Sequence, residues 1–285
     1  MAESMPRAQS IRGYELVKAL GGGPLTMVYS ARQFGSDVSC AVKLLRPDWQ
    51  DQQTGIKLLQ REARACLAVQ HPHLVRLLEA HVTTPPFYLV LELLAGESLR
   101  QRLRREYALD PATTLWIGRQ TAEALSALHR AGFLHGDVKP DNVHLVEDGR
   151  AVLIDLGFAH RPGENAAFLR GGYVLGTANY LAPELCRSDP DAAQSSDLFS
   201  LGTMLFEMLT GRLPYPPGSV DQTFRRHSCD PPADIRRQLP FLPASLGRLI
   251  ERLLAHEPAE RPRANQVVRQ LIELEIAGLS RRKSA

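Results

Sequence analysis

One eight-residue stretch, HGDVKPDN, gathers three polar groups in a short loop. Asp137 offers a carboxylate that can accept a hydroxyl proton, and Lys139 offers an ammonium that can bind a phosphate oxygen. Asn142 offers an amide oxygen, which is a hard ligand of the kind that Mg²⁺ prefers. Asp155 follows thirteen residues later at the end of the apolar run AVLI, and Gly157 would allow a sharp turn there. The pattern predicts a cation site formed by Asn142 and Asp155.

A charged pair is also expected in the first third of the chain. Lys43 ends the run AVK on a predicted strand and alternates away from the apolar positions, so its ammonium could reach phosphate oxygens. Glu62 is the only carboxylate between Asp51 and Glu79, and on a helical wheel it lies at the edge of a buried stripe. Because an unpaired charge there would be costly, Glu62 is predicted to pair with Lys43.

Glycines stand between two predicted strands in LGGGPLTMVY. The backbone amides of Gly21 and Gly23, with no Cβ atoms beside them, could close over phosphates. An ordinary glycine hairpin has the same pattern, so the signal gains weight only from the charged groups elsewhere in the chain.

The elements that must position these residues fall into two groups. Short β-branched runs alternate with turns over about the first ninety residues, at YELVKAL, TMVYSARQF, VSCAVKLL and FYLVLEL, and these runs predict a small sheet. Apolar residues between the third and fourth runs recur at helical spacing and predict one helix packed on that sheet: Ile56, Leu59, Ala63, Cys66 and Leu67.

The pattern becomes helical after LAGESL. One helical stripe stops before Gly132, and the nearly all-apolar segment DLFSLGTMLFEMLTG predicts a buried helix that ends at Gly211. The sequence therefore predicts an α+β fold with a small sheet-rich lobe, a short connection near residues 92 to 96 and a larger helical lobe. Ligands usually bind in the cleft between such lobes.

Composition excludes several other classes of protein. The 285 residues are 44% hydrophobic, enough for a sizeable core, and the net charge of +3 is spread among nearly equal numbers of acidic and basic residues, which gives little support to nucleic-acid binding. The four cysteines form no C-x-x-C pair, so the sequence indicates neither a zinc site nor a redox motif. The longest apolar run, FYLVLELLA, contains Glu92 and is about half a membrane span. We expect a cytoplasmic protein without a membrane anchor, and its oligomeric state cannot be predicted.

Together these motifs resemble the eukaryotic-type (Hanks-type) protein serine/threonine kinase family. The chain carries them in the family's order: LGGGPLTMVY for the glycine-rich loop, AVK for the strand lysine, HGDVKPDN for the catalytic loop, DLG for D-F-G, and APE. The segment GTANY before APE is similar to the family's substrate-binding loop. Lys139, two places after the aspartate, is similar to the serine/threonine branch.

The resemblance implies a bilobal protein-kinase-like fold over about residues 14 to 275. The smaller lobe would have one main helix. The expected divisions are an N-terminal extension at 1–13, an N-lobe at about 14–91, a hinge at about 92–96, a C-lobe at about 97–275 and a basic tail at 276–285.

The resemblance also implies ATP as the phosphoryl donor, Mg²⁺ or Mn²⁺ as the cation, and a protein with a serine or threonine hydroxyl as the acceptor. Asp137 would orient the hydroxyl, Lys139 would neutralise the transferring group, and Thr177 would bridge these two residues. Lys43 and Glu62 would position phosphates, while Asn142 and Asp155 would hold the metal. The expected nucleotide contacts are Gly21, Gly23, Val28, Ala41, Lys43 and Leu91, with adenine on the backbone from Glu92 to Leu94.

Two positions of the helical lobe resemble structural positions of the family. Asp197 would support the lobe, and Arg261 would form a buried ion pair with Glu184.

Gly136 departs from the family pattern, because many members have an arginine there that pairs with a phosphate on the activation loop. The chain is therefore expected to be of the non-RD subtype. The segment from Asp155 to Glu184 contains no serine, and its hydroxyls are those of Tyr173, Thr177 and Tyr180. These features predict activity without activation-loop phosphorylation. Gly136 can also be interpreted as a permissive loop residue that leaves catalysis untouched.

Thr26 is the second departure, since it stands at the third glycine position of G-x-G-x-x-G-x-V. If the backbone there needs a glycine conformation, a threonine would cost about 1 to 3 kcal/mol and slow closure over the nucleotide.

Two other functions are compatible with part of the pattern. A pseudokinase would bind nucleotide or partners without turnover, and Thr26 is the best argument for it. A small-molecule kinase is suggested by HGD, but such families lack GTANYLAPE and a lysine at this spacing. A binding role for PYPP as a P-x-x-P ligand is explained better by a turn after the buried helix.

Overall fold

A computed structural model describes residues 9–166, 175–187 and 193–282. The chain divides into two compact units. The first, the sheet unit, contains residues up to Gln70 and from Val75 to Ala95. The second, the helical unit, contains His71–Leu74 and everything from Gly96 onwards.

The sheet unit is built on an antiparallel sheet with strand order β1-β2-β3-β4-β6-β5. Tyr14, Cys40, Val42, Tyr88 and Val90 are among the buried residues of one core cluster of this unit. One α-helix, α1, packs against β4, β5 and β6. The element bounds are β1 Gln9–Ile11, β2 Tyr14–Gly22, β3 Thr26–Gln33, β4 Ser39–Leu45, α1 Gln53–Ala68, β5 Leu77–His81 and β6 Tyr88–Glu92.

In the helical unit, every residue of helix α5 (Gln194–Thr210) from Ser196 to Leu209 except Ser200 is buried, and three other helices, α3, α7 and α8, pack against it. A small antiparallel sheet, β7-β8-β9, lies beside α2 and α3. The element bounds are β7 Gly96–Ser98, α2 Leu99–Glu106, α3 Pro111–Arg130, β8 Val143–Val146, β9 Ala151–Leu153, α4 Pro183–Cys186, α5 Gln194–Thr210, α6 Val220–Cys229, α7 Ile235–Gln238, α8 Ala244–Leu253 and α9 Ala264–Arg282.

Local sequence signals explain where the main helices begin and end. The Asp110 carboxylate accepts hydrogen bonds from the Ala112 and Thr113 amides at the start of α3, and Pro111 occupies its first turn. Gly211 ends α5 in the left-handed conformation, with φ +68°. The predicted α+β class, with a sheet-rich first part and a mainly helical second part, is confirmed.

Two elements lie at the ends of the described residues. Gln9–Ile11, in the predicted N-terminal extension, forms edge strand β1 because its residues pair with Tyr14 to Leu16 of β2. The last helix, α9, continues to Arg282, through most of the predicted tail, because IELEIAGL keeps a helix-forming sequence.

One further feature of the fold bears on the predicted divisions. The segment from His71 to Leu74 belongs to the helical unit, since Leu74 pairs with Leu153 and the Leu153 amide donates to the His73 carbonyl.

Over residues 9–166, 175–187 and 193–282, no helix has both the length and the apolar character that a membrane span requires.

Candidate active site

Asp137 is the most heavily bonded carboxylate of the HGDVKPDN loop and is 5% exposed. Its Oδ1 accepts a hydrogen bond from the Thr177 hydroxyl at 2.7 Å, and its Oδ2 lies 2.6 Å from the Lys139 ammonium. The Asn142 amide nitrogen donates to Oδ2 at 3.0 Å and to the Asp137 carbonyl at 2.8 Å. These donors hold both oxygens of a side chain whose carboxylate can accept a hydroxyl proton.

Thr177 joins the loop to the GTANY segment, as predicted. Its hydroxyl donates to Asp137 and accepts from the Lys139 ammonium at 2.6 Å. Thr177 therefore fixes the distance between the Asp137 carboxylate, which can accept a proton, and the positively charged Lys139 ammonium.

The backbone of the same loop is held by Asp197 of α5, whose side chain is 2% exposed. Its carboxylate accepts from the His135 amide at 2.8 Å and from the Gly136 amide at 2.9 Å, and it pairs with the His129 ring at 2.8 Å. Burial would raise the pKa of Asp197, but the hydrogen bonds from His129 and from the Gly136 amide, together with the charge of His129, outweigh it and lower that pKa. The expected structural role of Asp197 is thereby explained.

Gly136 adopts φ +80°, in the left-handed region that glycine enters without strain. A Cβ atom at this position would lie 2.9 Å from the Phe158 carbonyl oxygen, closer than real side chains approach. The loop as folded therefore favours glycine at this position.

Asp155 and Asn142 lie on neighbouring segments of the helical unit. The Ile154 amide donates to the Asn142 carbonyl at 2.8 Å, which brings the end of β9 beside the loop. Asp155 itself makes the turn that was assigned to Gly157, with φ +64°, and the Gly157 amide donates to its carboxylate at 3.1 Å. A non-glycine residue in this region is strained, a feature common at functional sites.

These two residues fit a hard divalent cation. The Asn142 amide nitrogen is engaged with Asp137, so a cation would be bound through the amide oxygen, and Asp155 would offer carboxylate oxygens. Among the described residues, no group of three or more His, Cys, Asp or Glu side chains could hold a metal. A cation here would complete its coordination with oxygens of phosphate and water, as Mg²⁺ commonly does.

In the sheet unit, Lys43 of β4 and Glu62 of α1 form the predicted ion pair. The ammonium lies 2.8 and 2.7 Å from the two carboxylate oxygens, and the residues are 7% and 1% exposed. Charges this deeply buried are stable only when paired, so each fixes the position of the other.

The glycine-rich segment forms the hairpin between β2 and β3, and Gly21, Gly22, Gly23 and Pro24 are exposed. The Gly23 amide donates to the Thr26 carbonyl, and Arg46 donates to the Gly23 carbonyl, each at 2.9 Å. Sequence reasoning singled out Gly21 and Gly23, but a Cβ atom at either would meet nothing within 4 Å.

Gly22, which sequence reasoning missed, has no such room. A Cβ atom there would lie 2.6 Å from the Met27 sulfur and 2.6 Å from the Thr26 carbonyl oxygen. Only the run of three glycines could have suggested this position, and that run does not distinguish its members.

The backbone at Thr26 does not need a glycine conformation, so the condition for strain at this position is not met. Thr26 is the first residue of β3, pairs with Leu45, and is absent from the described non-glycine residues with positive φ, which are Arg12, Tyr107 and Asp155. The hairpin turns earlier, so Thr26 needs only a strand conformation, which suits a β-branched residue.

Strand register places the other expected nucleotide contacts within the sheet unit. Val28 is opposite Lys43, and Ala41 is opposite Leu91, so all four side chains share one face of the sheet. Glu92 ends β6, and its amide already donates to the Arg76 carbonyl at 3.0 Å, so that amide is not available to adenine. The half-buried Leu94 follows two residues later.

The Glu184–Arg261 ion pair is also confirmed, with bonds of 2.6 and 2.8 Å. The guanidinium donates as well to the carbonyls of Ala255, Ser195 and His256. These contacts tie the APE segment to the region before α9, which is an architectural role.

An α+β chain with a sheet unit, a helical unit, this loop, this ion pair and this glycine hairpin has the elements of a protein kinase. A model of the protein kinase domain family matches residues 14–271. The chain therefore belongs to the Hanks-type protein serine/threonine kinase family.

Three curated relatives illustrate the likeness. The chain is 33% identical over 263 residues to the serine/threonine-protein kinase PknD of Mycobacterium tuberculosis, covering 92% of this chain and 39% of the relative. It is 34% identical over 269 residues to PkaB of Streptomyces coelicolor, covering 92% and 63%. It is 29% identical over 248 residues to PrkC of Bacillus subtilis, covering 87% and 38%. The chain spans less than two thirds of the length of each of these relatives.

Proposed function

We propose that this domain is an active kinase that transfers the terminal phosphoryl group of ATP to serine or threonine hydroxyls of protein substrates. The main support for this proposal is the bonding of Asp137. Its buried carboxylate is held by Thr177, Lys139 and Asn142. An acceptor of a hydroxyl proton, a cation and an amide are thus fixed together, which is the arrangement that phosphoryl transfer needs.

Each predicted catalytic and metal-binding residue has a role in this proposal. When bound, ATP supplies the phosphoryl group, and Mg²⁺ or Mn²⁺ neutralises charge on its phosphates. Asp137 orients the acceptor hydroxyl and takes its proton, while Lys139 compensates negative charge beside it. Lys43, fixed by Glu62, binds phosphate oxygens, and Asn142 with Asp155 provides the cation's protein ligands.

The choice of a protein hydroxyl as acceptor is supported by the relatives, each named a serine/threonine-protein kinase. GTANY supports the same choice, because its Thr177 bonds directly to Asp137 and Lys139. The pseudokinase alternative loses its main argument, because Thr26 occupies an ordinary strand position.

We also propose that activity does not depend on phosphorylation of the activation segment. Gly136 cannot pair with a phosphate, and its backbone conformation disfavours an arginine. The Thr177 hydroxyl is engaged with Asp137, and the Tyr180 hydroxyl is buried against Glu207, so phosphorylating either would break these contacts. Tyr173, the other hydroxyl, lies outside the described residues.

The test is phosphoryl transfer from labelled ATP to matched peptides with serine, threonine or tyrosine as the acceptor, before and after treatment with a protein phosphatase that is then removed. The proposal predicts labelled serine or threonine and a rate that changes by less than about threefold after treatment. Transfer to tyrosine alone would contradict the acceptor class. A loss of about tenfold or more after treatment, restored by preincubation with ATP, would contradict phosphorylation independence.

A further inference from the structure

Arg100, on helix α2, is bonded to two carboxylates and a tyrosine. Its guanidinium donates to Asp141 at 3.1 Å and to Glu207 at 2.6 Å, and it also contacts the Tyr180 hydroxyl. The Tyr180 hydroxyl donates in turn to the second oxygen of Glu207. We call these four residues the Arg100 cluster.

The Arg100 cluster lies beside the two segments that hold Asp137. Asp141 directly precedes Asn142 in the single 3-10 turn Pro140–Asn142, and Asn142 bonds to Asp137. Tyr180 ends the 3-10 turn that begins just after Thr177. A peptide whose hydroxyl reaches Asp137 must therefore pass near these carboxylates.

Without the arginine, two carboxylates would stand together here. Glu207 is buried, whereas the Asp141 side chain is half-exposed, so their charge would be felt at the surface. Such a pair attracts cationic side chains of a binding partner. Arg100 brings the cluster from two negative charges to one, and its guanidinium donates to Oδ2 of Asp141 and to both carboxylate oxygens of Glu207.

The guanidinium is held firmly in this position. Burial acts to lower the pKa of Arg100, but hydrogen bonds and charge from Glu207 outweigh it and raise that pKa. The next arginine along α2, Arg102, bonds instead to Glu97 and Glu106. The two arginines share a helix and a charge, but only Arg100 faces the catalytic loop.

We propose that Arg100 determines substrate specificity: its guanidinium fills the place that a basic substrate side chain would take, so the domain does not select arginine or lysine near the acceptor hydroxyl. This inference rests on the proposed kinase function. It predicts that removing Arg100 would expose an acidic subsite and create a preference for basic peptides.

The test compares wild type, Arg100→Gln and the matched control Arg102→Gln on a peptide set. Each peptide has one acceptor and carries either arginine or glutamine at a single flanking position. The measured quantity is the ratio of kcat/KM for the arginine peptide over the glutamine peptide, which a general loss of structure would not change. We expect ratios within about threefold of one for wild type and Arg102→Gln, and a rise to about tenfold at one or more positions for Arg100→Gln.

A ratio in Arg100→Gln equal to that of wild type would overturn the inference, as would a rise that persists when Asp141→Asn and Glu207→Gln are added. Should Arg100→Gln fail to fold, wild type decides the question. A tenfold preference for arginine in wild type that disappears in Asp141→Asn would overturn the inference, and ratios near one would support it.

The same assay separates this inference from the proposed function. Absence of transfer from wild type to every peptide would remove the proposed function and this inference with it. Transfer with unchanged ratios in Arg100→Gln would remove only the inference.

Discussion

The catalytic loop of the helical unit and the glycine-rich hairpin of the sheet unit are held in opposite ways. Asp137 is buried and bonded through both carboxylate oxygens, and the amides before it are fixed by the buried Asp197. The hairpin from Gly21 to Pro24 is exposed, and its described bonds beyond the strand pairing come from a turn amide and from Arg46.

This difference matches what each region is proposed to do. A group that takes part in proton transfer must keep its position within a fraction of an ångström, which needs many fixed partners. A hairpin that covers a nucleotide must open to admit and release it, so it should have few fixed bonding partners. Substitutions in the loop should therefore affect stability and chemical rate together, whereas those in the hairpin should affect nucleotide affinity.

The largest effect is expected for Asp197→Ala. It leaves the His135 and Gly136 amides without their acceptor in a buried position, and each unsatisfied group costs about 1 to 3 kcal/mol. We expect a loss of about 3 to 5 kcal/mol in the free energy of unfolding and at least a hundredfold loss of transfer rate, measured by urea denaturation and labelled ATP.

Asp148→Ala is the matched control, because Asp148 is an exposed loop carboxylate paired with Arg150. Its loss should leave the free energy of unfolding close to that of wild type, because exposed ion pairs contribute little to stability. Equal costs for the two substitutions would contradict the view that Asp197 holds the loop.

The second effect concerns pH and should be concentrated in the helical unit, which contains eight of the nine histidines. Burial lowers the pKa of His71, His73, His135 and His227 below the usual value. These rings stay neutral in the folded state while the unfolded chain takes up protons below about pH 6.5. The unfolded state then binds more protons, so stability falls as the pH drops from 7 to 5, by about 1 to 3 kcal/mol.

The two tryptophans allow this to be measured for each unit, since Trp49 lies in the sheet unit and Trp116 in the helical unit. Urea unfolding of Trp49→Phe and Trp116→Phe would be followed by fluorescence at pH 7 and pH 5. We expect the Trp116 signal to shift to lower urea at pH 5 by more than the Trp49 signal does. A greater shift for Trp49 would reverse the comparison.

The smallest effect is expected in the hairpin, where Gly22→Ala and Gly23→Ala form a matched pair. An alanine Cβ at position 22 collides with Met27 and the Thr26 carbonyl, whereas position 23 is open. Gly22→Ala should raise the KM for ATP by about three- to tenfold with kcat changed by less than about threefold, and Gly23→Ala should change neither. A fall in kcat for Gly22→Ala with an unchanged KM would assign the hairpin to the chemical step.

The same contrast explains how much could be predicted from sequence. The polar residues of the catalytic loop were predictable because Asp137, Lys139 and Asn142 lie within eight positions of the sequence. The bridge that Thr177 makes to two of them was expected from the family resemblance alone. The pairing of Lys43 with Glu62 followed from a single buried carboxylate needing a cation. Strong helix signals, such as Gly211 after the apolar segment, predicted α3 and α5.

Backbone geometry and packing were not predictable in the same way. The turn at Asp155, the crowding at Gly22 and the strand conformation of Thr26 depend on dihedral angles that residue types alone leave open. The Arg100 cluster contains residues from four distant parts of the sequence, up to 107 positions apart, so no local sequence pattern predicts it.

The central claim is that Asp137 orients the acceptor hydroxyl and takes its proton during phosphoryl transfer. It is tested most directly by comparing wild type with Asp137→Ala at matched ATP and Mg²⁺. The measurement is the rate of labelled phosphoryl transfer to a protein substrate, with nucleotide affinity measured in parallel. The account predicts a rate lower by about 10² to 10⁴ in the variant, with nucleotide affinity changed by less than about threefold. Equal rates in the two proteins, or nucleotide binding without transfer by wild type, would contradict it.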